Sequence, residues 1–384
     1  MNKKLLLIGA ISALSFNPIF AQKGKVNTAE FNLTNGDIVK AKENIDDSFS
    51  DSSMNSWSKA WLVKGDVYRT IFEQKDAHKD LYSATPNTLS IAKESYIKAF
   101  NTEEKPKKKA AIKEPLHSVG IYFYNEGIGA FQANNWKSAY TDFKNALDIS
   151  NFLYDNKLTN VIDTQAYNVV MLSAFNTQNF DEAEKAGEKL LSLGDNREVV
   201  YTVLIDTYKQ KGENEKYEKT IDAARKAYPD NLDILYREIN LYLANNRLEE
   251  LEDKLKQAIK LAPNNPSLYQ ALANVYDKKG NREEALSLYD KAIEIDPQYK
   301  DAYINKASLY NNDANKIIEQ MNNTSDNNKY DQLKAQRDDI FKNKMLPLLL
   351  KAYKIDSKNQ NVIKALKEIY ARLNMMDELQ KLGK

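Results

Sequence analysis

The chain has 384 residues, with 55 basic and 54 acidic side chains, a formal net charge of +1 and no cysteine. With charges so nearly balanced, the chain has no excess positive charge to attract nucleic acid or anionic lipid. The lack of cysteine excludes a disulfide framework. The two histidines, His78 and His117, stand in no metal-binding or catalytic motif, so we expect no enzyme, no cofactor and no metal site.

The N-terminus has the layout of a secretory signal peptide. Lys3 and Lys4 precede an apolar run from Leu5 to Leu14, and a polar stretch follows Ala21. The apolar run is too short to span a bilayer comfortably. We expect residues 1–21 to be removed, with export to the periplasm of a Gram-negative bacterium or full secretion, and no integral membrane insertion afterwards.

The next segments predict helices that lead into a helical array. Residues 22–54 are expected to contain one capping helix, with Ala41 and Ile45 facing inward. The first helical unit follows near 55–103, with an insert at 77–91. Gly and Pro are scarce throughout, at 12 and 9 residues, and no linker-like segment divides the chain. An array of repeats would let a chain of this length fold without one large core.

A period of 34 residues runs through the middle of the chain. The residue that opens each predicted second helix recurs in three equal steps, as Ala183, Tyr217, Leu251 and Ala285. An aromatic residue recurs in the first helices, as Tyr208, Tyr242 and Tyr276, and we interpret these tyrosines as packing between helices. Prolines end the units at Pro229, Pro263 and Pro297.

This pattern resembles the tetratricopeptide repeat, and exported bacterial arrays of it in particular. The resemblance implies an all-α, right-handed superhelical solenoid of helix-turn-helix repeats. Its units are expected near 55–103 with the insert, 120–153, 164–197, 198–231, 232–265, 266–299, 300–359 with a helical-hairpin insert at 311–344, and 360–384 as a C-terminal cap.

The resemblance also implies a concave groove, lined by the first helix of each repeat, that holds a partner. Its positions carry an apolar, aromatic group and then a group rich in amides. The predicted partner-binding residues are Tyr124, Ile128, Phe131, Leu172, Phe175, Tyr236, Asn240, Gln270 and Asn274. A ten-residue extension between the second and third of these units leaves open whether the aromatic group is exposed or covered and part of the core.

The sequence therefore predicts a non-enzymatic periplasmic scaffold that holds a peptide segment or helix of an envelope protein. One alternative is a structural subunit of an envelope or outer-membrane assembly, which would bind through its convex face or through the hairpin insert. A second is binding of glycans or other small ligands by the aromatic side chains. Because these three functions are inferred from the fold, only the residues of the binding site can distinguish among them.

Overall fold

A computed structural model describes residues 18–382. Within this range every regular element is helical and no strand is present, which confirms the predicted all-α fold. No helix in the same range is long and apolar enough to cross a membrane. Most of the predicted signal peptide, residues 1–17, lies outside the described residues.

The chain forms two compact units, divided between Thr220 and Ile221. The first unit contains α1 (Pro18–Thr34), α2 (Ile38–Ser48), a 3-10 turn (Ser52–Ser56), α3 (Ser58–Glu73), α4 (Lys79–Ser83), α5 (Thr88–Thr102), α6 (Pro106–Ala111), α7 (Lys113–Gln132), α8 (Trp136–Asp155), α9 (Thr164–Asn176), α10 (Phe180–Ser192) and α11 (Glu198–Lys211).

Helix α12 (Asn214–Ala227) spans the division between the units. The second unit continues with α13 (Leu232–Ala244), α14 (Leu248–Leu261), α15 (Pro266–Lys278), α16 (Arg282–Ile295), α17 (Lys300–Asn322), α18 (Asn327–Asp339), a π-helical turn (Ile340–Met345), α19 (Leu346–Ile355), α20 (Gln360–Arg372) and α21 (Met376–Lys381).

The helices form helix-turn-helix pairs with the period seen in the sequence. The first helices α9, α11, α13, α15 and α17 begin 34 residues apart, at positions 164, 198, 232, 266 and 300. The fourth residue of each of these second helices is buried: Ala183, Tyr217, Leu251 and Ala285. Small or apolar side chains at this position let the two helices of a pair approach closely, so the repeat solenoid predicted from the period is confirmed.

The turn inside each pair contains one residue in the left-handed conformation. These residues are also 34 apart: Gln178 (φ 61°), Gly212 (71°), Asn246 (53°) and Gly280 (82°). A left-handed residue after a helix lets the last turn close its hydrogen bonds and reverses the chain. The turn geometry is thus common to the repeats, while the residue type varies.

The N-terminal segment differs from the single capping helix expected there. Ala41 and Ile45 of α2 are buried as expected, but α1 packs beside α2 and buries Val26 and Ala29. The segment 22–54 is therefore a helical hairpin. Few residues of α1 are buried and apolar, too few to show a helical period in the sequence.

The insert at 311–344 is helical in the structure. Helix α17 continues to Asn322, and α18 returns beside it, with Met321 and Leu333 buried between them. The π-helical turn then leads into α19 and buries Phe341. The hairpin is therefore joined to the repeat core at its base.

Candidate protein-binding surface

The surface with the clearest binding geometry is built by two unusually long helices. Helices α7 and α8 have 20 residues each, whereas the first and second helices of the four following pairs, α9 to α16, have 13 or 14. Leu116 of α7 and Leu153 of α8 are buried in these added turns. The extra turns belong to the apolar core of the first unit.

The chain leaves α8 through a tight reversal. Lys157 is left-handed (φ 58°), and the N–H of Leu158 donates to the carbonyl of Leu153 at 2.8 Å, a bond pattern that terminates helices. Residues 156–163 then cross to α9, where the Asp163 side chain accepts a hydrogen bond from the N–H of Ala166 at 2.9 Å. This connection, residues 156–163, is therefore held by hydrogen bonds at both ends.

A cavity of about 680 Å³ lies between α7, α8, the connection and the start of α9. The hydroxyl of Tyr167 on α9 donates to the Asn151 side chain on α8 at 3.0 Å and joins two of these walls. Lys113, His117 and Gln165 contribute polar groups to the lining. The apolar part of the lining includes Ile121, Tyr124, Ile149, Leu153, Val161 and Ile162.

Part of this apolar lining is open to solvent. Ile121 is 45% exposed and Val161 is 68% exposed, and Ile128, two turns further along α7, is 36% exposed. Single exposed apolar residues are ordinary, but several around one concavity are typical of an interaction site. We call Ile121, Tyr124, Ile128 and Val161 the apolar surface.

The predicted aromatic residues fall into two environments. Tyr124 lines the cavity, and its ring centroid lies 5.5 Å from that of the buried Phe143. Phe131 instead packs edge-on against Trp136 at 4.8 Å, and Phe175 packs against Phe180 at 5.9 Å. Trp136 and Phe180 are the first residues of the second helices. Phe131 and Phe175 are therefore half-buried structural contacts across the turns of their own repeats.

Leu172, also on α9, is half-buried, and the four remaining predicted residues lie in the second unit. Asn274 accepts a hydrogen bond from the hydroxyl of Tyr289 at 2.6 Å, and Gln270 accepts one from Tyr299. The hydroxyl of Tyr236 accepts a hydrogen bond from Asn265 at 3.2 Å, whereas Asn240 is exposed. Three of these four polar groups are thus already bonded within the chain.

The model of the family described as tetratricopeptide repeat matches residues 135–333, more than half of the chain. The chain belongs to the tetratricopeptide repeat family. No curated protein matches it. A solved structure of MamA (AMB-1) is 24% identical over 46% of this chain and 92% of that chain, with a TM-score of 0.39.

A second MamA crystal structure is 16% identical over 47% of this chain and 92% of that chain, with a TM-score of 0.40. The crystal structure of YrrB, described as a TPR protein with an unusual peptide-binding site, is 18% identical over 55% of this chain and 97% of that chain, with a TM-score of 0.38.

Tetratricopeptide arrays are in general non-enzymatic scaffolds for protein interaction, and family membership supports a protein-binding role for this chain. Within residues 18–382, no group of three or more His, Asp or Glu side chains is placed to hold a metal. The cavity lies where the array departs from regular repeats. The predicted groove positions did not indicate that a cavity would form there. The ten-residue extension was the sequence feature that indicated it, because extra residues between regular repeats cannot follow the repeat geometry.

Proposed function

We propose that this protein is a non-enzymatic scaffold that holds a segment of a partner protein on the apolar surface of its first unit. The observation that carries this proposal is the cavity of about 680 Å³ whose apolar lining is partly exposed at Ile121 and Val161. A partner that covers these side chains removes apolar area from water, which contributes about 25 cal/mol for each Å² buried.

The arrangement suits a segment that inserts one apolar side chain. Tyr124 forms part of the cavity wall, and its hydroxyl end is a polar group that an inserted residue can contact. The amide of Gln165, at the start of α9, can donate to and accept from a peptide backbone. Ile128 extends the contact along α7. A connection held at both ends needs less ordering on binding, which lowers the cost of association.

We also propose that the scaffold works outside the cytoplasm, in the periplasm. Support comes from the signal-like N-terminus, in which Lys3 and Lys4 precede the apolar run. Cleavage after Ala21 would leave Val26 and Ala29, the buried residues of α1, in the mature chain. Cell fractionation followed by N-terminal sequencing should find a periplasmic protein that begins at Gln22. A cytoplasmic protein with an intact N-terminus would contradict this.

The binding surface is tested by a pull-down from solubilised cell envelope with two matched variants. Ile121→Asp, Val161→Asp places charges at the cavity, whereas Leu243→Asp changes a residue of α13 that is 54% exposed. A partner lost with the first variant and retained with the second supports the proposal. Equal retention by both would reject the apolar surface and favour an assembly role through the hairpin of α17 and α18.

A further inference from the structure

A short basic helix lies between two units of the array. Helix α6 (Pro106–Ala111) follows the first predicted unit and precedes α7. The nine residues from Lys105 to Lys113 contain five lysines and no acidic residue. The chain as a whole is nearly neutral, but charges in water are screened beyond about 10 Å at 0.1 M salt. A local excess of positive charge can therefore attract a partner although the net charge of the chain is only +1.

Helix α6 is attached to the core of the first unit. The N–H groups of Lys108 and Lys109 donate to the carbonyl of Lys105 at 2.9 and 3.0 Å and form its first turn. Ile112, directly after the helix, is buried in the apolar core. The ammonium group of Lys109 lies 4.9 Å from the ring centroid of Phe100 on α5. The other lysines of the segment are thus presented from a helix that packs on the first unit.

Three lysines of this segment have no partner: Lys105, Lys107 and Lys108. Each is exposed, and none forms an ion pair or a side-chain hydrogen bond with any group in residues 18–382. By contrast, Lys144 of the same unit pairs with Asp148 at 2.7 Å. An ammonium group without a carboxylate partner keeps its attraction for an external anion undiminished.

The acidic residues that flank the run offset only part of its charge. The Glu103 carboxylate accepts hydrogen bonds from the hydroxyl of Ser58 on α3 and from the N–H of Lys105, both at 3.0 Å. Glu114 lies 3.7 Å from the ammonium group of Lys113 at the other end. With one further glutamate, residues 103–114 contain five lysines and three acids, an excess of two positive charges.

The residue types around α6 indicate the kind of partner. Residues 103–113 contain no aromatic side chain on which a nucleic-acid base could stack, and no arginine for bidentate recognition of a carboxylate. Ala110 and Ala111 are exposed but small, and they offer little apolar area to a protein interface. Compact ammonium groups on flexible stems suit a layer of mobile phosphates, which is the surface of an anionic membrane.

We propose that α6 attaches this protein peripherally to a membrane surface that carries anionic lipid headgroups. The ammonium groups of Lys105, Lys107 and Lys108 approach the headgroup phosphates, and α6 stays outside the hydrocarbon. Attraction of this kind is reversible, extends over about one Debye length and is weakened by salt. None of the three lysines lines the cavity of the first unit, so this contact is separate from the proposed protein-binding surface.

The probe is a lipid vesicle of defined composition, sedimented together with the purified full chain. One vesicle contains phosphatidylcholine with about one third phosphatidylglycerol, and the matched vesicle contains phosphatidylcholine alone. We expect binding to the anionic vesicle and little binding to the neutral one. Binding should decrease strongly when the salt concentration is raised from about 0.05 M to about 0.5 M, because the Debye length shortens.

Two variants with the same change in net charge test the position of the contact. The test variant replaces the free lysines of the basic segment: Lys105→Gln, Lys107→Gln and Lys108→Gln. The control variant replaces exposed lysines of the insert at 311–344: Lys329→Gln, Lys334→Gln and Lys342→Gln. Each lysine near an anionic membrane is worth about fivefold in affinity, so the test variant should bind about a hundredfold more weakly. The control variant should bind like the unchanged chain.

A third variant separates charge from other properties of the lysines. Arginine at positions 105, 107 and 108 keeps the charge and should keep the binding. Thermal unfolding of all variants checks that each is folded.

Four results would overturn the proposal: no binding to the anionic vesicle, equal binding to both vesicles, equal loss in the test and control variants, or loss in the arginine variant. Binding of heparin, a soluble polyanion, without binding of vesicles would assign the lysines to a different partner and reject the membrane. The Ile121→Asp, Val161→Asp variant should bind the anionic vesicle normally, so this test succeeds or fails independently of the surface proposed for a partner protein.

Discussion

The ammonium group of Lys279 lies 2.6 Å from the carboxylate of Glu252, which precedes it by 27 residues. The pair joins the second helix of one repeat to the end of the first helix of the next. Glu184 and Lys211 form the same pair, again 27 residues apart and two repeats earlier. In the intervening repeat Asn245 replaces the lysine. Ion pairs at this position therefore stabilise neighbouring repeats where the basic residue is present.

The pair predicts a loss of stability in acid. Hydrogen bonds from Lys256, and next from Lys279, lower the pKa of Glu252 from 4.5 to about 2. A depressed folded pKa means that the stabilisation is complete above pH 4.5 and is lost as the pH falls towards 2. Glu252→Gln should cost about 1 kcal/mol at pH 7, as a largely solvent-screened pair.

The measurement is the thermal midpoint of the unchanged and variant chains at pH 7 and pH 3. The difference between the two chains should be smaller at pH 3, because the unchanged glutamate is then losing its contribution. A difference that is the same at both pH values would show that the pair does not supply this stability.

Two glycines of α7 should respond oppositely to alanine. A Cβ on Gly127 would lie 2.7 Å from the ring of the buried Phe143, whereas a Cβ on Gly129 would have no neighbour within 4 Å. Gly127→Ala should destabilise the first unit by about 1–3 kcal/mol through overpacking. Gly129→Ala should stabilise it by up to about 1 kcal/mol, because alanine is the better helix former. Urea unfolding measures both, and a stabilised Gly127→Ala would contradict the packing.

The repeated turn predicts a stabilising substitution at Gln178. This residue is left-handed at the position where two other repeats have Gly212 and Gly280. The left-handed conformation costs a residue with a Cβ about 1–2 kcal/mol, which glycine avoids. Gln178→Gly should therefore raise the thermal midpoint, and Gly280→Gln, its control, should lower it. An unchanged or lowered midpoint in Gln178→Gly would show that the Gln178 side chain compensates for the strain.

Phe131 should affect stability, whereas Ile128, on the same helix, should not. Phe131 packs against Trp136 and lies 6.3 Å from Phe143 between ring centroids. Phe131→Ala should cost about 2 kcal/mol, because the half-buried ring loses these contacts. Ile128→Ala should change stability by less than about 0.5 kcal/mol. Chemical denaturation of both variants measures this, and equal effects would place Ile128 in the core.

The period, the helix pairs and the tyrosine packing could be predicted from the sequence. Tyr208 and Tyr242 are buried, and their hydroxyls donate to Glu188 and Glu238. Such features are predictable because each repeat contacts mainly its neighbours, so the same local pattern produces the same packing several times. The hairpin formed by α1 and α2 was harder to predict from the sequence, because α1 buries few apolar residues.

What the sequence determined by itself was the phase of the array: where each helix begins, where each turn reverses and which small residues face the neighbouring helix. Whether Phe131 was free or packed, and whether Asn274 was free or bonded to Tyr289, was decided only by the tertiary structure. These properties depend on contacts with residues of a neighbouring helix, Trp136 in the first case and Tyr289 in the second. A position in a repeat specifies a face of a helix, but only packing determines what remains on that face for a partner.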